Sequence, residues 1–126
     1  MLSYYFEISL QVDSNYDLLN IEKDLGFMPN KIISKEVSFN PKVKHHVIAH
    51  KTPIQDNPFI EGYFTQFLKK MEPKLAQIKQ FAKQNKASIA FYAVVKDKSE
   101  LENCTIGLEP EAIKVLAALD ASWHID

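Results

Sequence analysis

The sequence predicts a single α+β domain in which antiparallel strands alternate with helices packed on one side of the sheet. Three observations predict this class. Apolar and polar residues alternate from Tyr4 to Val12, an apolar stripe at helical spacing runs from Ile60 to about Asn85, and a nearly continuous apolar run covers Ala87 to Val95. The chain has 126 residues, an ordinary size for one domain, so we assign residues 1–126 to it.

The predicted order of elements is β-α-β-β-α-β-β-α-β, and the first six match a ferredoxin-like order. The alternation from Tyr4 to Val12 indicates a first strand with one apolar and one polar face. Asp13 and Ser14 are offered as N-caps for a short helix. That helix ends before Gly26, whose position suits the left-handed residue that follows a helix.

A hairpin should follow. Ile33, Val37 and Phe39 suggest its first strand, and the run from Asn40 to Lys42 contains a Pro in a turn signal. Residues Val43 to His50 form the predicted second strand of this hairpin.

The longest helix is predicted to open at Asn57 and Pro58, as N-cap and first helical residue. Pro73 lies inside its apolar stripe, where it removes a backbone hydrogen bond and clashes with the preceding turn. The stripe stays in phase across Pro73, so two nearly collinear segments are expected.

The strand from Ala87 to Val95 should be followed by a shorter one, from Cys104 to Leu108. Glu109 to Glu111 then opens a helix, with acidic residues at its positive end. The predicted buried stripe of this helix comprises Ile113, Leu116 and Leu119. Trp123 and Ile125 are the apolar positions of a predicted last strand.

The composition restricts the kinds of function. The net charge of -1 supplies no field that would attract nucleic acid or an anionic membrane. All fifteen basic residues are Lys, so sites that require the planar fork of Arg, such as guanine readout, are excluded. A single cysteine, Cys104, and an N-terminus without a signal-peptide pattern favour a cytoplasmic protein.

Four histidines are the strongest candidates for a metal site, but their spacing argues against one. His45 and His46 point to opposite faces of a strand, and His46 and His50 lie about 13 Å apart along it. Two nitrogens on one zinc must lie much closer, and His124 is in a different predicted strand. We therefore predict no metal and no cofactor.

The chain carries no catalytic motif. Cys104 lies in a predicted strand, where a small buried residue is expected. Glu100 and Glu102 fall in a polar turn, and the three glycines are too far apart to form a phosphate-binding loop. No catalytic residue is predicted.

The basic stretch from Lys42 to Lys51 has two interpretations. It could be a solvated edge strand guarded by Lys, or it could face an acidic partner. On the second interpretation, the candidate interaction surface comprises Lys35, Lys44, His46 and His50.

Several pieces of the chain, taken together, resemble an uncharacterised bacterial family, domain-of-unknown-function family 4279. The similar pieces are YFEISLQV, LGFMP, LKKMEPKLAQI and IGLEPEAIKVLAALDASWHID. The resemblance implies a small cytoplasmic α+β domain, which in some members is an immunity protein that neutralises a partner toxin. It carries over no catalytic residue.

The leading hypothesis is a non-enzymatic module that binds another protein, with an immunity-like role. Its surface would be the hairpin from Lys31 to His50, because unpaired strand edges accept further strands. The alternative is a small-molecule-binding regulatory domain. An enzyme is the third hypothesis, and it requires one of the histidines to meet an acid in a pocket. The oligomeric state does not follow from the sequence.

Overall fold

The computed structural model describes residues 3–34, 45–56, 59–96 and 107–126. These residues form an α+β fold with three α-helices, as predicted, and a five-stranded sheet. The predicted order contains one more strand, from Cys104 to Leu108. The elements in chain order are β1 (Tyr4–Asp13), a 3-10 turn (Leu18–Asn20), α1 (Ile21–Leu25), β2 (Lys31–Ile33), β3 (His45–Lys51), α2 (Ile60–Asn85), β4 (Ser88–Val95), α3 (Pro110–Leu119) and β5 (Ser122–Ile125).

The sheet order is β2-β3-β1-β4-β5. Strand β1 pairs antiparallel with β3 and β4, and β2 pairs antiparallel with β3, as the predicted hairpin requires. Val37, Phe39 and the turn predicted for this hairpin lie outside the described residues. Strand β5 joins β4 in parallel, so the sheet is mixed but mostly antiparallel. Because β3 lies between β1 and β2, the first two strands run parallel without being neighbours.

One face of the sheet carries the core. The alternating residues of β1 from Tyr4 to Val12 are at most 3% exposed, and β4 contributes Ile89, Phe91, Ala93 and Val95 on the same face. The helices cover this face, and the strand residues of the core cluster all lie on it. The apolar residues that alternate along β1 therefore form its buried face, as the sequence predicts.

Phe64, at the centre of this core, is fully buried on α2. Its ring centroid lies 4.3 Å from that of Trp123 in β5 and 5.2 Å from that of Phe6 in β1. Phe91 in β4 packs against it edge-on at 5.9 Å. One helical side chain therefore contacts three neighbouring strands.

The short N-terminal helix differs from the prediction in its cap. The Asp17 side chain accepts a hydrogen bond from the Leu19 amide, whereas Asp13 accepts one from Asn15 in the preceding turn. Gly26 adopts the left-handed conformation with φ of 80°, as predicted. The Gln77 side chain donates to the Asp24 carbonyl at 2.8 Å and so ties α1 to α2.

Helix α2 is continuous through Pro73 and corresponds to the one long helix of the predicted order. Buried residues on both sides of Pro73, including Met71 and Ile78, hold the two halves against one sheet face. The first helical residue is Ile60, and the predicted caps Asn57 and Pro58 lie outside the described residues.

Helix α3 begins at Pro110 and is capped by Asp120, as predicted, and its buried stripe differs from the predicted one at a single position. Ala112, Leu116 and Leu119 are buried, whereas Ile113 is 52% exposed. The short Ala112 permits close approach to α2 because its methyl group needs little room. The predicted strand from Cys104 falls on residues outside the described ranges, except that Gly107 and Leu108 are described and lie in no strand.

We expect Phe64→Ala to lower the free energy of unfolding by about 3–5 kcal/mol, because it leaves a cavity between the helix and three strands. Urea unfolding measures this. Phe59→Ala is the matched control, since Phe59 is 72% exposed, and it should cost far less. Equal losses in the two variants would contradict the central role of Phe64.

On α3 we expect Leu116→Ala to cost about 2–5 kcal/mol and Ile113→Ala about 0.5 kcal/mol or less. The two side chains have similar volume and lie on one helix, so their difference reports burial. Urea unfolding measures both variants. If Ile113→Ala lowered the free energy of unfolding more than Leu116→Ala, Ile113 would be buried as the sequence predicted.

Candidate functional site

The predicted interaction surface requires His46 and His50 to point outward, but β3 turns both towards the helix-covered face. His46 pairs with Val12 and His50 with Ile8, so both project from the helix-covered face. The His46 side chain is 2% exposed. The orientation expected from sequence, with His46 and His50 outward, is corrected, because Ile48 between them is buried and determines which alternate residues face the core.

The other members of the predicted interaction surface, Lys35 and Lys44, lie outside the described residues. His45 and His124 are exposed and lie on the opposite face of the sheet from His46 and His50. The fold therefore does not bring the four histidines together. In residues 3–34, 45–56, 59–96 and 107–126, no three His, Cys, Asp or Glu side chains are grouped as metal ligands would be.

The acids of the sequence analysis have local structural partners where they are described. Glu109 accepts a hydrogen bond from the Thr65 hydroxyl, and Glu111 forms an ion pair with Lys69 at 3.3 Å. Both contacts join α3 to α2. Cys104, Glu100 and Glu102 lie outside the described residues.

His50 lines a pocket between the sheet and α2. The segment after β3 forms one wall, and backbone hydrogen bonds hold it along β1. The Thr52 amide donates a hydrogen bond to the Phe6 carbonyl oxygen at 2.9 Å, and the backbones of Gln55 and Tyr4 each donate one hydrogen bond to the other. The Thr52 hydroxyl oxygen also accepts from the Phe6 amide at 2.9 Å. This double attachment gives the wall a defined position.

Helix α2 forms the opposite wall of the pocket, which has a volume of 260 Å³. The helical residues that line it recur at spacings of three and four, as one stripe does. They are Tyr63, Gln66, Phe67, Lys70 and Met71. The sequence analysis predicted one apolar stripe on α2 and did not predict that polar residues beside it line a pocket. The helical spacing of Tyr63, Gln66 and Lys70 could have indicated this.

The environment of His50 favours a neutral imidazole. Burial, and secondarily the positive charge of Lys74, lower its pKa. Nδ1 is buried and has no hydrogen-bond partner in the described part of the chain. The Phe27 ring packs edge-on against the imidazole at 5.8 Å, and the Lys74 ammonium lies 4.8 Å from the centroid of that ring.

The second candidate surface is the open face, which we define by Tyr5, Glu7, Lys51, Tyr92 and His124, opposite the helices. Glu7 lies across from Lys51 on one side and Tyr92 on the other. The Tyr92 and His124 rings stack at 4.9 Å. These side chains are half-buried or exposed, so the face combines accessible aromatic rings with charge.

Two lysines lie close to the Tyr5 ring on the open face. The ammonium groups of Lys51 and Lys96 lie 5.4 and 5.6 Å from its ring centroid. Each distance is within cation–π range. Neither lysine has an ion-pair partner among the described residues, whereas nearby Lys31 pairs with Glu7 at 3.3 Å.

Comparison of the chain with models of known protein families identifies its family. The model of the family described as Domain of unknown function (DUF4279) matches residues 3–126. The chain belongs to this family. The match confirms the resemblance found in the sequence and extends over the strands and helices that build both candidate surfaces of this DUF4279 domain.

No curated protein and no solved structure matches the chain. None of the helices in the described part of the chain has both the length and the apolarity required to cross a membrane.

We expect the DUF4279 domain to lose stability in mild acid through His50. Its pKa in the folded state lies below the ordinary 6.5 of the unfolded chain, so between these values the unfolded state binds more protons. Stability therefore falls as the pH drops through 6.5 towards the folded pKa. Thermal unfolding from about pH 7.5 to 5.5 should show a smaller loss of Tm in His50→Gln than in wild type.

His124→Gln is the control for this experiment, because His124 is an exposed imidazole on edge strand β5. It should keep the pH dependence of the wild type. Parallel pH profiles for wild type and His50→Gln would contradict the assignment to His50.

Proposed function

We propose that this domain is a non-enzymatic module that binds an acidic surface of another protein through its open face. The observation that carries the proposal is Tyr5 lying beneath two lysines that have no ion-pair partner in the described residues. Tyrosine is enriched at protein interfaces because it offers a large rigid surface with one polar end. Carboxylates of a partner would pair with Lys51 and Lys96 above that ring.

The arrangement of the open face supports this proposal. Tyr92 and His124 extend the aromatic surface towards β5, and the ion pair that Glu7 forms is with Lys31. An acidic partner would be steered towards Lys51 and Lys96, which have no ion-pair partner in the described part of the chain. Lys35 and Lys44, which lie outside the described residues, remain part of the proposed interaction surface.

A non-catalytic role is consistent with the distribution of reactive side chains. His46 and His50 lie under the helices, His124 lies on the other face, and Glu109 and Glu111 are engaged between α2 and α3. An immunity-like role in a bacterial cytoplasm, in which the domain covers and inactivates a partner toxin, is the biological setting that we propose.

The second candidate function is a small-molecule-binding regulatory domain. The pocket at His50 favours it, because an apolar floor and several polar groups converge on one concavity. This pocket is on the helix-covered side of the sheet, so the two candidate functions use different surfaces.

Site-specific photo-crosslinking tests the interaction proposal. A photoreactive phenylalanine analogue placed at Tyr92 should yield a covalent adduct with one defined partner in cells that express both proteins. The double variant Lys51→Glu and Lys96→Glu should reduce that adduct at least about tenfold, because like charges then face the partner.

The matched control carries the analogue at Lys79 on the exposed side of α2, with Lys83→Glu as the charge control. Neither change should give or remove the adduct. Absence of an adduct from Tyr92, or an equal adduct from Lys79, would overturn the proposal.

A further inference from the structure

We propose that the pocket at His50 binds a small organic carboxylate with a flat apolar body. The inference rests on the second candidate function and names the chemistry of its ligand. Three features of the pocket carry it: an apolar floor, a rim of hydrogen-bond donors, and an excess of positive charge along α2.

The floor of the pocket is formed by buried residues. Phe6 is 2% exposed, Met71 5% and Phe67 7%, and the Phe6 and Phe67 rings stack at 5.7 Å. A flat apolar group laid on these side chains would exchange water for aromatic and thioether contacts. The volume of 260 Å³ lies just below the range of roughly 300–1,000 Å³ typical of ligand pockets, so the ligand is small.

The rim supplies donors at the strand-side wall and on α2. The Thr52 oxygen accepts from the Phe6 amide, which leaves its own O–H as a donor. The Gln66 amide and the Lys70 ammonium belong to side chains on the exposed edge of α2 that also line the pocket. These groups can donate to the two oxygens of a carboxylate.

The charged residues that line the pocket are Lys51 and Lys70. Lys70 lines it, and Lys74 one turn further along α2 lies close enough to lower the pKa of His50. None of the described residues that line the pocket is Asp or Glu. Lys51 also lines the pocket, but its ammonium lies over Tyr5 on the open face. An anion is therefore the ligand that this rim recognises.

A carboxylate fits this rim better than a phosphate. Phosphate sites typically use Arg forks or the amides of a glycine-rich loop at a helix N-terminus. The chain has no Arg, and the α2 residues of the pocket lie within the helix, starting at Tyr63. One carboxylate charge is matched by Lys70, with hydroxyl and amide donors beside it.

The test uses benzoate as the anionic probe and benzamide as its neutral isostere. Amide chemical-shift titration of the full chain measures both affinities and locates the site. We expect benzoate to shift the resonances of His50, Thr52 and Lys70, and to bind at least about tenfold more tightly than benzamide, because the rim favours charge.

The Lys70→Met variant should weaken benzoate binding about tenfold or more while leaving benzamide unchanged, because it removes the charge and keeps the length of the side chain. Lys83→Met, on the same helix and away from the pocket, should bind both probes like the wild type. Unfolding midpoints of the variants exclude a general loss of structure.

Three results would overturn the inference. Equal binding of benzoate and benzamide at this pocket would remove the carboxylate assignment and leave the small-molecule function standing. No shift of pocket resonances with either probe would contradict both. Benzoate binding that Lys70→Met does not weaken would assign the anion to another site.

Discussion

The packing of Phe64 against the sheet is the interaction on which the other parts of the fold depend. Its ring contacts Phe6 in β1, Phe91 in β4 and Trp123 in β5, so one helical position holds α2 over three strands. Burial of such a side chain contributes about 1.5–3 kcal/mol by area, and the contacts between rings add to this. The position of α2 in turn determines where its neighbouring stripe faces.

That neighbouring stripe follows from helical geometry. With Phe64 in the core, Tyr63, Gln66 and Phe67 lie at the edge of the buried stripe. There they meet the segment from Thr52 to Gln55. This segment is held by β1, the same strand that Phe64 covers through Phe6. The pocket is thus a consequence of how α2 is seated.

The two faces of the sheet divide the chemistry of the domain. The helix-covered face holds His46 and His50 in surroundings that disfavour a charged imidazole at the second of these positions. The opposite face carries Tyr5 beneath Lys51 and Lys96, with Glu7 satisfied by Lys31. Lysines therefore border both candidate surfaces, with Lys51 and Lys96 on the open face and Lys70 at the pocket edge of α2.

The sequence by itself determined the class and the elements, because these depend on periodicity and local backbone preferences. Tyr4 to Val12 alternate as a strand must, Gly26 takes the left-handed conformation, and Pro110 begins the last helix. Tertiary structure decided which face each element turns inward. The side chains of β3 alternate His46, Val47, Ile48, Ala49, His50, and only pairing with β1 and cover by α2 put the histidines inside. For the same reason Ile113 is exposed and Ala112 buried, since the close approach of α3 to α2 selects the smaller side chain. The pocket joins residues more than ten positions apart, Thr52 and Lys70 among them, and no local pattern encodes such a meeting.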